Sequence, residues 1–95
     1  MREKELERKL VEAVKQSGGL APKFVSPGFD GMPDRIVLLP GGKIGFAEVK
    51  RRDLKYRPLQ LRRAEQLQAL GFRVFLLDRP EQIQQIISRI GGDAE

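Results

Sequence analysis

Two apolar runs on either side of a proline–glycine–glycine triplet constrain the fold of this 95-residue chain more than any other feature. The runs cover residues 34–39 and 43–50, and Pro40-Gly41-Gly42 lies between them. Such a triplet favours a three-residue hairpin loop with glycine in the left-handed conformation. With that loop, Leu39 faces Lys43 and both faces of the hairpin are apolar. This is typical of strands in the middle of a sheet that is covered on both sides.

The remaining patterns place helices and further strands around this hairpin. Apolar spacing, prolines and glycines predict helices over residues 3–17, 58–70 and 78–90, a weak edge strand over 23–25 and a strong strand over 72–77. The order is helix, three strands, helix, strand, helix. The sequence therefore predicts one α/β domain over residues 1–95, with an αβββαβ core and a mixed central sheet flanked by helices.

The composition excludes several kinds of site. The chain has no cysteine, which excludes disulfides and thiolate zinc sites, and no histidine, which excludes imidazole ligands and histidine bases. No apolar stretch approaches the roughly 18 residues of a membrane span, and no signal sequence is visible. We therefore expect a cytoplasmic protein whose chemistry, if it has any, depends on carboxylates, lysine and a hard cation.

The charge of the chain points to a polyanionic partner. The formal net charge is +5 and the isoelectric point is near 10.0. Neutralising nucleic-acid phosphates releases counterions and so gives affinity that does not depend on base sequence.

Two carboxylates come together if the hairpin has this register. Asp34 lies opposite Glu48 on the same face, with Cβ atoms about 5 Å apart, whereas a two-residue loop would place them on opposite faces. Their burial needs a neutralising partner, and Mg²⁺ suits oxygen ligands, including the backbone carbonyl of Val49. Lys50 projects from the same face and could orient or deprotonate an attacking water. The alternative is that Asp34 ends a turn while Glu48 and Lys50 are exposed residues on an edge strand.

These residues also carry a resemblance to a known family. Gly31-Met32-Pro33-Asp34-Arg35, with Asp34 fourteen residues before Glu48-Val49-Lys50, resembles the motif of PD-(D/E)XK nucleases. More closely, it resembles the VRR-NUC (virus-type replication-repair nuclease) branch. The resemblance implies a restriction-endonuclease-like core, Mg²⁺ or Mn²⁺ as cofactor, and hydrolysis of phosphodiester bonds.

The same resemblance implies roles for single residues. Asp34 and Glu48 would be metal ligands and Lys50 the water-activating residue. Gln60 matches the family glutamine on the helix after the catalytic strand, although an exposed position at the helix start is an equal alternative. Glu7 matches an acidic residue of the first helix that reaches the site, and Glu3 is the other candidate.

A basic segment follows the proposed site. Seven of the fourteen residues from 50 to 63 are basic and one is acidic. We expect backbone phosphate contacts from this segment and from Arg35, with Tyr56 stacking on an unpaired base. The alternatives are a solvated loop, a tyrosine packed at an edge, and an Arg35 paired with an acid. The predicted DNA-contact residues are Arg35, Arg51, Arg52, Lys55, Tyr56, Arg57, Arg62 and Arg63.

Small members of this family resemble dimeric enzymes that act on branched DNA. The resemblance therefore implies a homodimeric endonuclease that cleaves branched DNA such as four-way (Holliday) junctions, in phage or bacterial replication and repair. The alternatives are a non-catalytic nucleic-acid-binding module on the same fold, and a structural or protein-binding domain.

Overall fold

The computed structural model describes residues 1–52 and 54–92. Within these ranges, no helix has the length and apolar character that crossing a lipid bilayer requires. The elements are α1 (Glu3–Gln16), β1 (Arg35–Leu39), β2 (Lys43–Val49), α2 (Pro58–Ala69), β3 (Arg73–Leu77) and α3 (Ile83–Gly91), with a 3-10 turn at Pro80–Gln82 before α3.

The sheet has the order β1-β2-β3. β1 pairs with β2 antiparallel, and β2 pairs with β3 in parallel through the crossover helix α2. Leu39 is paired with Lys43, and Gly41 and Gly42 both have positive φ angles, of 85° and 74°. The predicted three-residue loop and its register are therefore confirmed, and so is the α/β fold with a mixed sheet.

The predicted edge strand over residues 23–25 is wrong as a strand. The segment runs along β1 but forms only two isolated bridges, Leu20 with Leu38 and Lys23 with Arg35. Pro22 lies between these bridges. Its carbonyl accepts from the Ile36 amide, but proline has no amide hydrogen to donate in return. The ladder is interrupted at that point, although the segment still covers the edge of β1.

One face of the sheet forms the main hydrophobic core. Val37, Leu39, Ala47 and Val49 project from this face and are buried beneath α1 and α3. Gly45 lets α3 approach closely, because a Cβ at this position would lie 2.4 Å from Ile90 Cδ1. The helices contribute buried residues to the same core, namely Leu6, Leu10, Val14, Ile83, Ile86, Ile87 and Ile90.

The other face is covered less completely. Phe46 is buried there, with its ring in edge-to-face contact with Phe24 and Phe72. Among the helices, α2 covers this face, but of its predicted apolar stripe only Leu67 is buried, while Leu61 and Leu70 are exposed. Helices thus lie on both faces of the sheet, as expected, but the cover is less complete on this face, which carries Glu48.

The start of α3 also differs from the prediction. The sequence predicts a helix from residue 78, but α3 begins at Ile83, and the side chain of Gln82 accepts the backbone amides of Asp78 and Arg79 at 2.9 and 3.1 Å. The Gln82 side chain thus extends back over the 3-10 turn and caps the turn that leads into α3.

Candidate active site

Asp34 lies one residue before β1 and is fixed by the opposite strand. Its Oδ2 atom accepts the Val49 amide at 3.1 Å. Arg35 is paired with Ala47, so Asp34 stands opposite Glu48 at the open end of the hairpin. The amide and carbonyl of one strand residue point to the same edge, so the Val49 carbonyl also faces the Asp34 side.

Glu48 is the buried charged residue of this face. It is 5% exposed, and its Oε2 accepts the Gln60 amide nitrogen at 2.7 Å. The Oε1 atom is buried and has no hydrogen-bond partner within the described ranges. A buried carboxylate oxygen without a partner carries a desolvation penalty, which a bound cation would offset.

Gln60 reaches Glu48 because the start of α2 is fixed. The Gln60 side-chain carbonyl accepts the Arg57 backbone amide at 2.9 Å, which closes a capping interaction over the first turn. Pro58 occupies the first position of the helix, where its missing amide hydrogen is tolerated. The predicted glutamine is therefore brought to Glu48 and is not merely an exposed residue at a helix start.

Burial perturbs both carboxylates. Desolvation, with the neighbouring Asp34 charge, raises the pKa of Glu48 to about 7, against the opposing effect of Lys50. Burial also raises the pKa of Asp34, which the Val49 amide and Lys50 counteract and the Glu7 charge reinforces. Two acids that resist ionisation side by side form a site that favours an added positive charge.

The donor set fits a hard divalent cation. Asp34, Glu48 and the Val49 carbonyl provide oxygen atoms only, which Mg²⁺ and Mn²⁺ accept. No cluster of three or more acidic side chains suited to a metal is found in the described part of the chain. Two carboxylates are sufficient for Mg²⁺, because this ion commonly completes its coordination with water and substrate phosphate.

Lys50 lies directly after β2 on the same side as Glu48. Its backbone amide donates to the Leu77 carbonyl at 3.0 Å, which continues the pairing of β2 with β3 past the last strand residue. Its charge acts on both Asp34 and Glu48. The structure thus brings together the three residues that the motif singles out.

Arg35 and Glu7 form an ion pair beside the site. The Arg35 guanidinium donates to Glu7 Oε1 from Nε at 3.1 Å and from Nη2 at 3.0 Å, and to the Ala21 carbonyl from Nη1. Only 14% of the Arg35 side chain is exposed. Arg35 therefore forms the ion pair with an acid that the sequence left as the alternative, and its contact with DNA stays a prediction. Glu7 does come close enough to influence Asp34, but its carboxylate is held by Arg35.

Arg63 attaches the loop before Asp34 to α2. Its Nε atom donates to the Asp30 carbonyl at 2.8 Å, its Nη1 atom donates to Gln66 at 2.9 Å, and its guanidinium carbon lies 3.8 Å from the centre of the Phe29 ring. This geometry makes Arg63 an anchor of the loop, and its predicted contact with DNA stays a prediction. The aromatic residue and the glycines of this loop were the sequence signal that could have indicated its packing against α2.

Gly31 explains how closely this loop approaches the helix. Its φ angle is +89°, and an added Cβ would lie 2.7 Å from Leu59 Cγ and 3.0 Å from the Leu59 carbonyl oxygen. Both the conformation and the space therefore require glycine. The glycine of the motif has a packing role that places Asp34 relative to α2.

Tyr56 is half-buried instead of presenting an open ring for base stacking. Its hydroxyl donates to the Glu48 backbone carbonyl at 3.4 Å, and burial raises the pKa of this hydroxyl. In this structure Tyr56 supports the strand that carries Glu48, and base stacking by its ring stays a prediction. The other predicted DNA-contact residues, Arg51, Arg52, Lys55, Arg57 and Arg62, are exposed.

Comparisons with known proteins agree with this geometry. The chain is 51% identical over 78 residues, covering 82% of its length and 84% of the relative, to the protein named "Putative nuclease p44" of Acyrthosiphon pisum secondary endosymbiont phage 1. A solved structure described as "VRR_NUC domain" matches with a TM-score of 0.84 at 34% identity, covering 90% of this chain and 94% of that one. No protein-family model matches the chain. The fold, the motif residues and these two similarities together establish that the chain belongs to the VRR-NUC family of nuclease domains.

Proposed function

We propose that this nuclease-family domain is a metal-dependent DNA endonuclease. Its active site, formed by Asp34, Glu48 and Lys50, would hydrolyse phosphodiester bonds. The observation that carries the proposal is the buried Glu48 Oε1 atom, which has no hydrogen-bond partner in the described residues and lies in a site shared with Asp34. A site that only stabilised the fold would not need a buried and a half-buried carboxylate side by side, both with raised pKa values.

The two carboxylates and the Val49 carbonyl would hold Mg²⁺ or Mn²⁺. When bound, the cation supplies Lewis acidity for the attacking water and offsets negative charge on the phosphate. Gln60 keeps Glu48 oriented through its 2.7 Å hydrogen bond. Lys50 orients the attacking water or accepts its proton, and its ammonium stabilises the charge that develops on the phosphate.

The proposed substrate is branched DNA, with four-way junctions as the first candidate, and the proposed assembly is a homodimer. Each chain contributes one such site, and a twofold dimer would present two sites to a substrate with twofold symmetry. The phage relative named as a nuclease supports a role in phage or bacterial replication and repair, inside the host cell.

The test incubates the purified protein with a labelled four-way junction or a linear duplex of the same sequence, in Mg²⁺, Mn²⁺ or EDTA. We expect cleavage with either metal and none in EDTA, with the junction cleaved faster. Asp34→Asn or Lys50→Ala should lower the single-turnover rate by about 100-fold or more, as for the loss of other groups that stabilise a transition state.

Two matched substitutions serve as controls. Asp30→Asn makes the same chemical change as Asp34→Asn at an exposed position of the same loop, and Lys43→Ala removes an exposed lysine at the opposite end of β2. Both should cleave as the wild type does. Wild-type cleavage by Asp34→Asn or Lys50→Ala would contradict the assignment, and DNA binding without cleavage in any metal would favour a non-catalytic binding module.

A further inference from the structure

A concavity lies where the start of α1 meets the segments that follow β2 and β3. It has a volume of about 590 Å³ and is lined by four arginines, Arg2, Arg51, Arg52 and Arg79. These residues come from three separate places: the start of α1, the segment after β2 and the segment after β3. We call this concavity the arginine cleft. Arg2 and Arg79 lie outside the basic segment, so charge clustering in the sequence does not indicate them.

The arginine cleft keeps an excess of positive charge although acids also line it. Among the described residues, three acids line it, Glu5, Asp78 and Glu81, against the four arginines. Glu5 accepts the backbone amide of Arg2 at 3.5 Å, which does not involve the Arg2 guanidinium. The acids therefore reduce the charge of the arginine cleft without reversing its sign.

Arg79 also keeps donors for an external ligand. Its Nε atom lies 3.4 Å from Asp78 Oδ1, and 48% of its side chain is exposed. This contact is too loose to satisfy Asp78, whose Oδ1 atom has no hydrogen-bond partner in the parts of the chain that the structure describes. Because a guanidinium has five donors, Arg79 can contact Asp78 and still bind a phosphate.

The arginine cleft lies close to the proposed site along the chain. Arg51 and Arg52 directly follow Lys50, whose amide is bonded to Leu77, and Arg79 lies two residues beyond Leu77. At about 3.3 Å per extended residue, the cleft begins roughly 3–7 Å along the chain from Lys50. With a rise of about 3.4 Å per nucleotide, a DNA strand cleaved at Glu48 would reach it within about two nucleotides.

We propose that the arginine cleft binds the phosphodiester backbone of DNA to one side of the cleavage site, with Arg2 and Arg79 as phosphate contacts. The inference rests on the proposed function, because it places the cleft on the path of the cleaved strand. Guanidinium groups that come from three elements are suited to contact phosphates along a backbone and not to recognise base edges. The arginine cleft therefore contributes to DNA affinity and not to sequence preference.

The test measures DNA binding in EDTA, where cleavage does not interfere. The double variant Arg2→Gln/Arg79→Gln is titrated with fluorescent four-way junction over about 50–200 mM salt, which separates phosphate contacts by their counterion release. We expect the double variant to bind about tenfold more weakly than the wild type. In a plot of log K against log salt concentration, its slope should be shallower than that of the wild type by nearly two.

The control is Arg73→Gln/Arg89→Gln, which removes the same charge. Arg73 begins β3 at the end away from the arginine cleft, Arg89 lies on α3, and both are exposed. This variant should bind within about twofold of the wild type, with a slope changed by less than one. Thermal unfolding of each variant shows whether the fold is kept, and Arg79→Gln alone replaces the double variant if that one unfolds.

Each outcome decides the proposal. Wild-type binding by the cleft variant, or an equal loss in both double variants, would overturn the assignment of the arginine cleft. Specific loss in the cleft variant supports it even if the wild type cleaves no DNA with Mg²⁺ or Mn²⁺, in which case only the proposed nuclease activity fails. Absence of DNA binding by the wild type would overturn both.

Discussion

The two faces of the sheet contrast in both composition and cover. Beneath α1 and α3 the face is aliphatic, and its residues Val37, Ala47 and Val49 are at most 1% exposed. Beneath α2 the face contains Phe46 and the buried acid Glu48, and it remains open at its ends. Neighbouring residues of one strand, Ala47 and Glu48, thus belong to two different environments.

This contrast separates stability from chemistry. Burial of aliphatic surface is the main favourable contribution to folding, at about 25 cal/mol per Å². A buried acid with an unsatisfied oxygen opposes folding, so the aliphatic face must supply the stability that the other face lowers. Alternation along β2 allows both faces to be built from seven residues.

The largest expected effect on stability tests the aliphatic face. Leu10→Ala removes a fully buried side chain of α1 and should lower the free energy of unfolding by about 3 kcal/mol, within the range for such cavities. Leu61→Ala, at a 49% exposed position of α2, should cost less than about 1 kcal/mol. Urea denaturation measures both free energies of unfolding. Equal losses for the two variants would show that the two faces do not differ in their contribution to stability.

A pH effect tests the other face. The pKa of Glu48 is raised from 4.5 to about 7 in the folded chain, so between these values the folded state binds more protons than the unfolded state. In EDTA, stability should therefore fall as the pH rises from about 5 to 8, by at most about 3 kcal/mol. Glu48→Gln should lose most of this dependence and be more stable than the wild type at pH 8.

Glu12→Gln, on the exposed surface of α1, is the matched control and should retain the wild-type pH dependence. Addition of Mg²⁺ should stabilise the wild type more at pH 8 than at pH 6, because the cation needs an ionised carboxylate. A flat pH profile for the wild type in EDTA would show that Glu48 does not resist ionisation.

The smallest expected effect concerns two adjacent arginines of α2. Arg63→Gln removes two charged hydrogen bonds and a cation–π contact, and should destabilise the chain by about 1–2 kcal/mol, because the site is partly exposed. Arg62→Gln, at the exposed neighbouring position, should change stability by less than about 0.5 kcal/mol. Denaturation curves give both values.

Cleavage kinetics sharpen this comparison. Arg63→Gln should also slow single-turnover cleavage, since the anchored loop leads directly to Asp34. The opposite result would be that Arg63→Gln leaves stability unchanged and weakens DNA binding to the same extent as Arg62→Gln. Arg63 would then be a DNA contact, and the loop would not need its anchor.

Local chemistry made the hairpin and its motif predictable from the sequence. Gly41 and Gly42 specify the loop, the loop specifies the register, and the register places Asp34 opposite Glu48. All of these effects act between residues close in the chain or directly paired across one turn. The start of α2 at Pro58 was also predictable from local sequence. The prediction of the edge strand was wrong because Pro22 interrupts its hydrogen-bond ladder.

Only the tertiary structure decided which basic residues face solvent. Arg35 and Arg63 look like Arg62 in the sequence, but one pairs with Glu7, 28 residues away, and the other bonds to Asp30, 33 residues away. Likewise, Arg2 and Arg79 share the arginine cleft through the packing of distant elements. A composition fixes how many charges a chain carries, but their partners depend on contacts between segments that the sequence does not place side by side.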